Sequence, residues 1–107
     1  MDTLDQEMTT TAGGPGRASL AVTGEVDASN ADRLRSAILA AAGNHDAQLE
    51  VDLAAVTFMD STGLRAIEDA SRTIDPSGAG LVVHNVPRQV QRLLDISDVW
   101  PSLDVRR

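Results

Sequence analysis

The sequence contains no cysteine, no lysine and no tyrosine, and its aromatic residues are Phe58 and Trp100 alone. Without thiols, disulfides, thiolate catalysis and cysteine-based zinc sites are excluded. With so few rings the core must be built from Leu, Val, Ile and Ala, which leaves little stacking surface for a flat ligand. No apolar run approaches the length of a membrane-spanning helix. The opening MDTLDQEMTT has neither the basic start nor the apolar stretch of a secretory signal, so a cytoplasmic location is expected. Positive charge is scarce too: nine arginines stand against sixteen Asp and Glu in 107 residues, a formal net charge of −7. Such a surface is unsuited to nucleic-acid phosphates or to anionic lipid. It suits a basic protein partner, and acidity is equally the ordinary condition of a soluble domain.

What is present is enough apolar residue, 42% of the chain, for one core. Short strand-like runs alternate with helical ones, the pattern of a small α/β domain spanning residues 1–107. Residues 7–11 have modest strand propensity, Ala12-Gly13-Gly14-Pro15-Gly16 reads as a turn, and the alternation of Ala18, Leu20 and Val22 suggests the second arm of a hairpin. After Gly24-Glu25-Val26-Asp27 the period lengthens. Leu34, Ile38 and Ala41 mark a helix, with Ser29 or Asn30 as its expected cap and Gly43 as its stop. Leu49, Val51 and Leu53 alternate as a third strand. Leu64, Ile67, Ala70 and Ile74 mark a second helix, stopped at Asp75-Pro76. Leu81-Val82-Val83 reads as an interior strand, a third helix follows Pro87, and residues 100–105 are assigned to an edge strand.

The most informative segment runs from Val56 to Leu64, V-T-F-M-D-S-T-G-L. An apolar anchor is followed by small polar residues, a glycine and an amphipathic helix. Asp60, Ser61 and Thr62 are each good N-cap types, and a well-capped helix is the plainest account of them. A hydroxyl at a helix N-terminus also has a second use. The partial positive charge and unpaired N–H groups there tolerate a phosphate, which adds about −1.5 to −2 charge at pH 7.

Three blocks in order, Gly24-Glu25-Val26-Asp27, then residues 53–64 as L-A-A-V-T-F-M-D-S-T-G-L, then residues 87–94 as P-R-Q-V-Q-R-L-L, resemble the STAS domain family. The resemblance extends from about Ala18 to Val99, and the nearest branch is that of the bacterial anti-sigma factor antagonists. It implies a single small domain with a mixed β-sheet of four to five strands and helices packed mainly on one side. It implies binding to an anti-sigma factor that is also a serine kinase of the GHKL type, with release of a sigma factor. That kinase would phosphorylate the first hydroxyl residue after the motif aspartate, here Ser61, and a PP2C-type phosphatase would reverse the mark. Thr62 is a second candidate acceptor. Asp27, Asp60, Ser61, Thr62, Gly63 and Arg65 form the implied partner surface. Arg65 stands where many antagonists have glycine. Its ordinary reading is an exposed helix cation of little energetic weight, and its functional one is a partner for the phosphate or for an acidic group.

Competing readings have less in the sequence to support them. Ser61 with His45 or His84 and a carboxylate could be written as a triad, but no G-x-S-x-G elbow is present. No phosphate-binding glycine loop occurs, and two separated histidines make a poor metal site, so no enzyme activity, cofactor or metal is expected. A stand-alone accessory subunit of a lipid-transport ATPase, or a component of a stress-signalling scaffold, is the alternative within the same family.

Overall fold

Alternation of buried and exposed residues sets the strands, and the longer helical period sets what crosses between them. A computed structural model of the chain describes residues 8–12, 18–43, 49–75, 81–96 and 104–106. The elements are β1 (Met8–Ala12), β2 (Ala18–Val26), α1 (Ala31–Ala42), β3 (Leu49–Met59), α2 (Ser61–Ile74), β4 (Leu81–His84), α3 (Arg88–Asp95) and β5 (Asp104–Arg106). Strands β2, β3 and β4 form a parallel core, with β1 antiparallel beside β2 and β5 parallel beside β4. The order across the sheet follows the order in the chain. The fold is therefore a small α/β one in which helices connect neighbouring parallel strands.

One sheet face is apolar. Leu20 and Val22 of β2, Leu49, Val51 and Leu53 of β3, and Leu81 and Val83 of β4 are buried in a single cluster. Leu34 and Ile38 of α1, Leu64, Ile67 and Ala70 of α2, and Val90 and Leu94 of α3 complete it. Helices α1 and α2 pack against each other. Small residues along α2, namely Gly63, Ala66 and Ala70, are all buried and keep that face flat. The opposite sheet face carries Glu50, Asp52 and His84, with His84 Nε2 4.0 Å from Glu50 Oε1.

Two strands run longer than the sequence reading gave them. β2 continues through Gly24-Glu25-Val26, and β3 continues to Met59. The simple alternation fails because the pairing slips twice, between Ala21 and Thr23 and again between Gly24 and Glu25. At each slip β3 contributes one residue more than β2, so Ala21 faces Asp52 while Thr23 faces Ala55, and Gly24 faces Val56 while Glu25 faces Phe58. These bulges move the buried positions of β3 from every second residue to every third: Leu53, Val56, Met59. Gly24, at φ +85°, takes up a backbone angle that suits glycine. Asp52 Oδ1 accepts the Ala54 N–H at 2.9 Å beside the first bulge. Phe58, read as part of an apolar anchor, is instead 42% exposed, and Val56 and Met59 do the anchoring.

The start of α1 also differs from expectation. Asn30 occupies the N-cap position without a side-chain cap bond. Its Oδ1 accepts the Asp27 N–H at 2.9 Å and its Nδ2 donates to the Glu25 carbonyl at 2.8 Å, so it ties the strand end to the turn. Gly43, at φ +47°, ends the helix as expected. The turn at residues 13–16, His45, Pro76 and Trp100 lie outside the described residues.

Candidate functional site

The carboxyl ends of β2 and β3 lie side by side, and each leads directly into a helix. Asp60 donates its N–H to the Val26 carbonyl at 3.1 Å, which fixes the start of α2 next to the turn that starts α1. The residues singled out in the sequence are gathered there.

Among the three cap candidates the structure selects Asp60. Its Oδ1 accepts the N–H of Thr62 at 2.9 Å and of Gly63 at 3.3 Å, and it also accepts the Thr62 hydroxyl. Its own carbonyl accepts the Leu64 N–H at 3.3 Å. A carboxylate here both satisfies orphan donors and faces the positive end of the helix. Ser61 is the first residue of the helix, is exposed, and its hydroxyl makes no hydrogen bond among the described residues. Thr62 is exposed as well, but its hydroxyl is engaged by Asp60. Two adjacent hydroxyls are thus chemically unlike: one is part of the cap and the other is free.

Gly63 was placed with the partner surface by the sequence reading, and it is buried. A Cβ there would lie 2.7 Å from Val26 Cγ1 and 2.8 Å from Met59 Cγ, both on fully buried side chains. Gly63 therefore shapes the site from beneath by letting α2 approach the ends of β2 and β3.

Asp27 sits on the facing turn. Its carboxylate accepts the Ser29 N–H at 2.9 Å and the Ser29 hydroxyl at 2.5 Å. These bonds favour the charged form, the hydroxyl foremost, and hold its pKa below the ordinary value near 3.8. Its carbonyl accepts the N–H of Asn30 and of Ala31, so the turn is held at both ends.

Between the two helix starts lies an open cleft of about 260 Å³, lined by Ala28, Ala31, Asp32 and Arg35 from the α1 side and by Thr62, Arg65, Ala66 and Asp69 from α2. Arg65 is exposed and makes no ion pair among the described residues.

One contributor was not singled out in the sequence. Gln89, near the start of α3, accepts the Met59 N–H on Oε1 at 2.9 Å and donates from Nε2 to the Met59 carbonyl at 2.8 Å. Strand β4 pairs with β3 only as far as Asp52, so Met59 has no strand partner on that side. The Gln89 amide takes the place of one and braces the residue before Asp60. Its partner is thirty residues away in the chain, and no local pattern points to it.

The site thus presents an exposed hydroxyl on a braced turn beside an acidic turn. No group of three or more His, Cys, Asp or Glu residues suited to a metal occurs among the described residues. No described helix is long and apolar enough to cross a membrane.

Comparison with known proteins gives the family. A family model described as the Mlab, STAS domain matches residues 10–100, and the chain belongs to the STAS domain family. It is 30% identical over 84 residues to the anti-sigma-B factor antagonist of Bacillus subtilis, covering 78% of this chain and 76% of that protein. An anti-sigma factor antagonist from Mycobacterium paratuberculosis has a similar fold, with a TM-score of 0.78 at 23% identity over 99% of this chain and 90% of that one. The anti-sigma factor antagonist SpoIIAA in its unphosphorylated form matches with a TM-score of 0.72 at 16% identity, over 92% of this chain and 87% of that one. The phosphorylated form of SpoIIAA, from Bacillus, matches with a TM-score of 0.66 at 15% identity, over 92% and 90% of the two chains.

Proposed function

We propose that this protein is an anti-sigma factor antagonist whose binding is switched by phosphorylation of Ser61. The observation that carries this reading is the division of labour at the cap. Asp60 and the Thr62 hydroxyl build the helix start, which leaves the neighbouring Ser61 hydroxyl exposed and free to be modified. The relatedness to an anti-sigma-B factor antagonist supports the partner class. The existence of a phosphorylated form of SpoIIAA supports the kind of switch.

In the unmodified state, Ser61 lies within the face covered by an anti-sigma factor, together with Asp27, Asp60, Thr62 and Arg65, and the sigma factor is released. The anti-sigma factor is itself a serine kinase of the GHKL type, and a PP2C-type phosphatase restores the hydroxyl. A phosphate on Ser61 sets a dianion against groups arranged for a neutral hydroxyl, next to the Asp60 carboxylate. A mismatch of about 3–4 kcal/mol weakens binding roughly 10²–10³-fold. No refolding is needed, because Ser61 is exposed and its hydroxyl takes no part in the cap. The protein acts by binding, not by catalysis, in the cytoplasm.

The test is affinity capture from source-cell lysate with wild-type protein and Ser61→Glu, alongside their melting temperatures. The expected outcome is that wild type retains a GHKL-type kinase, that Ser61→Glu does not, and that both melt within about 2 °C of each other, as exposed substitutions do. Unfolding of Ser61→Glu would overturn the interface account. A second reading, an accessory subunit of a lipid-transport ATPase, is kept because membership of the STAS family does not by itself separate the two roles. Equal retention of a membrane transport ATPase by both proteins would select it.

A further inference from the structure

We infer that Arg65 is the counter-charge that receives a phosphate on Ser61, drawing it toward the cleft between α1 and α2. This rests on the reading of Ser61 as the acceptor. The general affinity of helix N-termini for anions does not suffice here, because the turn is already occupied. Asp60 accepts the N–H groups of Thr62 and Gly63 through its carboxylate and that of Leu64 through its carbonyl. Of the first four helical N–H groups only that of Ser61 itself is left. A phosphate on Ser61 would therefore meet a carboxylate one residue away and no spare cluster of donors. It needs a cation, and α2 supplies one.

Arg65 follows Ser61 by four residues on the same helix, so the two side chains rise from one face about one turn apart. The order is the favourable one, anion toward the N-terminus and cation toward the C-terminus. Both residues are exposed, and Arg65 makes no ion pair among the described residues, so nothing has to be broken. Arg72, by contrast, is already paired with Glu68 at 3.1 Å. The cleft that Arg65 lines also carries Asp69 from α2 and Asp32 and Arg35 from α1, while the Asp60 carboxylate adjoins Ser61 in the chain and Glu68 on α2 is held by Arg72. Arg35 lines the same cleft but rises from the other helix, so its contribution is the smaller.

A chain carrying phosphoserine at position 61, installed during translation, is titrated by phosphorus NMR. Wild type is compared with Arg65→Gln and Arg35→Gln at low and high salt. The second ionisation of a phosphoserine falls near pH 6. Arg65→Gln is expected to raise it by about 0.3 units, the size an exposed pair of this spacing supports. The difference shrinks in about 1 M salt, where the Debye length is near 3 Å. Arg35→Gln is expected to have less effect. Identical ionisation in wild type and Arg65→Gln, or a larger change in Arg35→Gln, would overturn the assignment. Circular dichroism of the unmodified Arg65→Gln chain, expected to match wild type, separates a charge effect from loss of fold. No kinase enters this measurement. Failure to find a kinase for Ser61 would therefore defeat the proposed switch and leave this result standing.

Discussion

Replacing Asp60 tests the cap on which the whole site is built. In Asp60→Ala, Thr62 and Gly63 lose the acceptor for their N–H groups, and the Thr62 hydroxyl loses its partner. Removing an N-cap side chain typically costs about 1 kcal/mol, and the loss of a negative charge at a helix N-terminus adds about 0.3–1 kcal/mol. Thr62 is exposed, so water replaces part of what is lost there, but Gly63 is buried and its N–H has no ready substitute. The expected sum is about 1.3–2 kcal/mol, a drop in melting temperature of roughly 5–16 °C for a domain of this size. Asp60→Asn keeps an oxygen acceptor while removing the charge, so it should lose only about 0.3–1 kcal/mol. Urea unfolding of the three proteins at neutral pH gives the comparison directly, with unchanged m-values as the sign that only stability has moved. Asp60→Ala within about 0.5 kcal/mol of wild type would refute the reasoning, since that is the range of surface substitutions without a structural role. Equal losses in Asn and Ala would show that charge alone, and not the cap bond, holds the turn.

Gly63→Ala drives a methyl group into Val26 and Met59, and overpacking of this kind costs about 1–3 kcal/mol, readable as a fall in the urea midpoint. Gln89→Ala removes both bonds to the Met59 backbone and should cost about 1–2 kcal/mol, with faster amide exchange at Met59 and Asp60 as the local signature. Ser29→Ala should raise the pKa of Asp27 toward its ordinary value, as followed by carbon NMR of the carboxyl group. Because the folded-state pKa of Asp27 is depressed, its favourable contribution is present above the unfolded value. It is lost as pH falls from about 4 through the folded value, and Ser29→Ala should reduce that acid-side dependence while the backbone N–H bond at position 29 keeps part of it.

Much of the chain's organisation was legible without coordinates because it depends on short-range rules. The period of two in residues 49–53, the period near 3.6 in α1 and α2, and Gly43 as a helix stop are consequences of side-chain direction and backbone freedom within one element. The segment Asp60-Ser61-Thr62 could be picked out as a helix start for the same reason, whereas Ser61 in particular was singled out by the resemblance to the STAS family. Which of Asp60, Ser61 and Thr62 is the cap could not be read, because all three types suit the position. Asp60 is chosen by its N–H, which is held by Val26 on another strand. Asn30 looked like a cap and is used instead to fasten Asp27 to Glu25.

The sequence by itself determined that this is a small acidic α/β domain resembling the STAS family, with Asp60, Ser61 and Thr62 in its most specific block. The acidity and the α/β pattern rest on composition and periodicity, which act over a few residues, and the family on the resemblance of three blocks in order. Only the tertiary structure decided that β3 runs on to Met59 through two slips in its pairing, that Gly63 lies beneath the surface, and that Gln89 braces the turn from the third helix. It also decided that the helix N–H groups beside Ser61 are already taken. Each of these depends on which backbone groups and side chains from distant segments meet, and pairing between strands or across helices leaves no periodic trace in the chain that contributes only one partner.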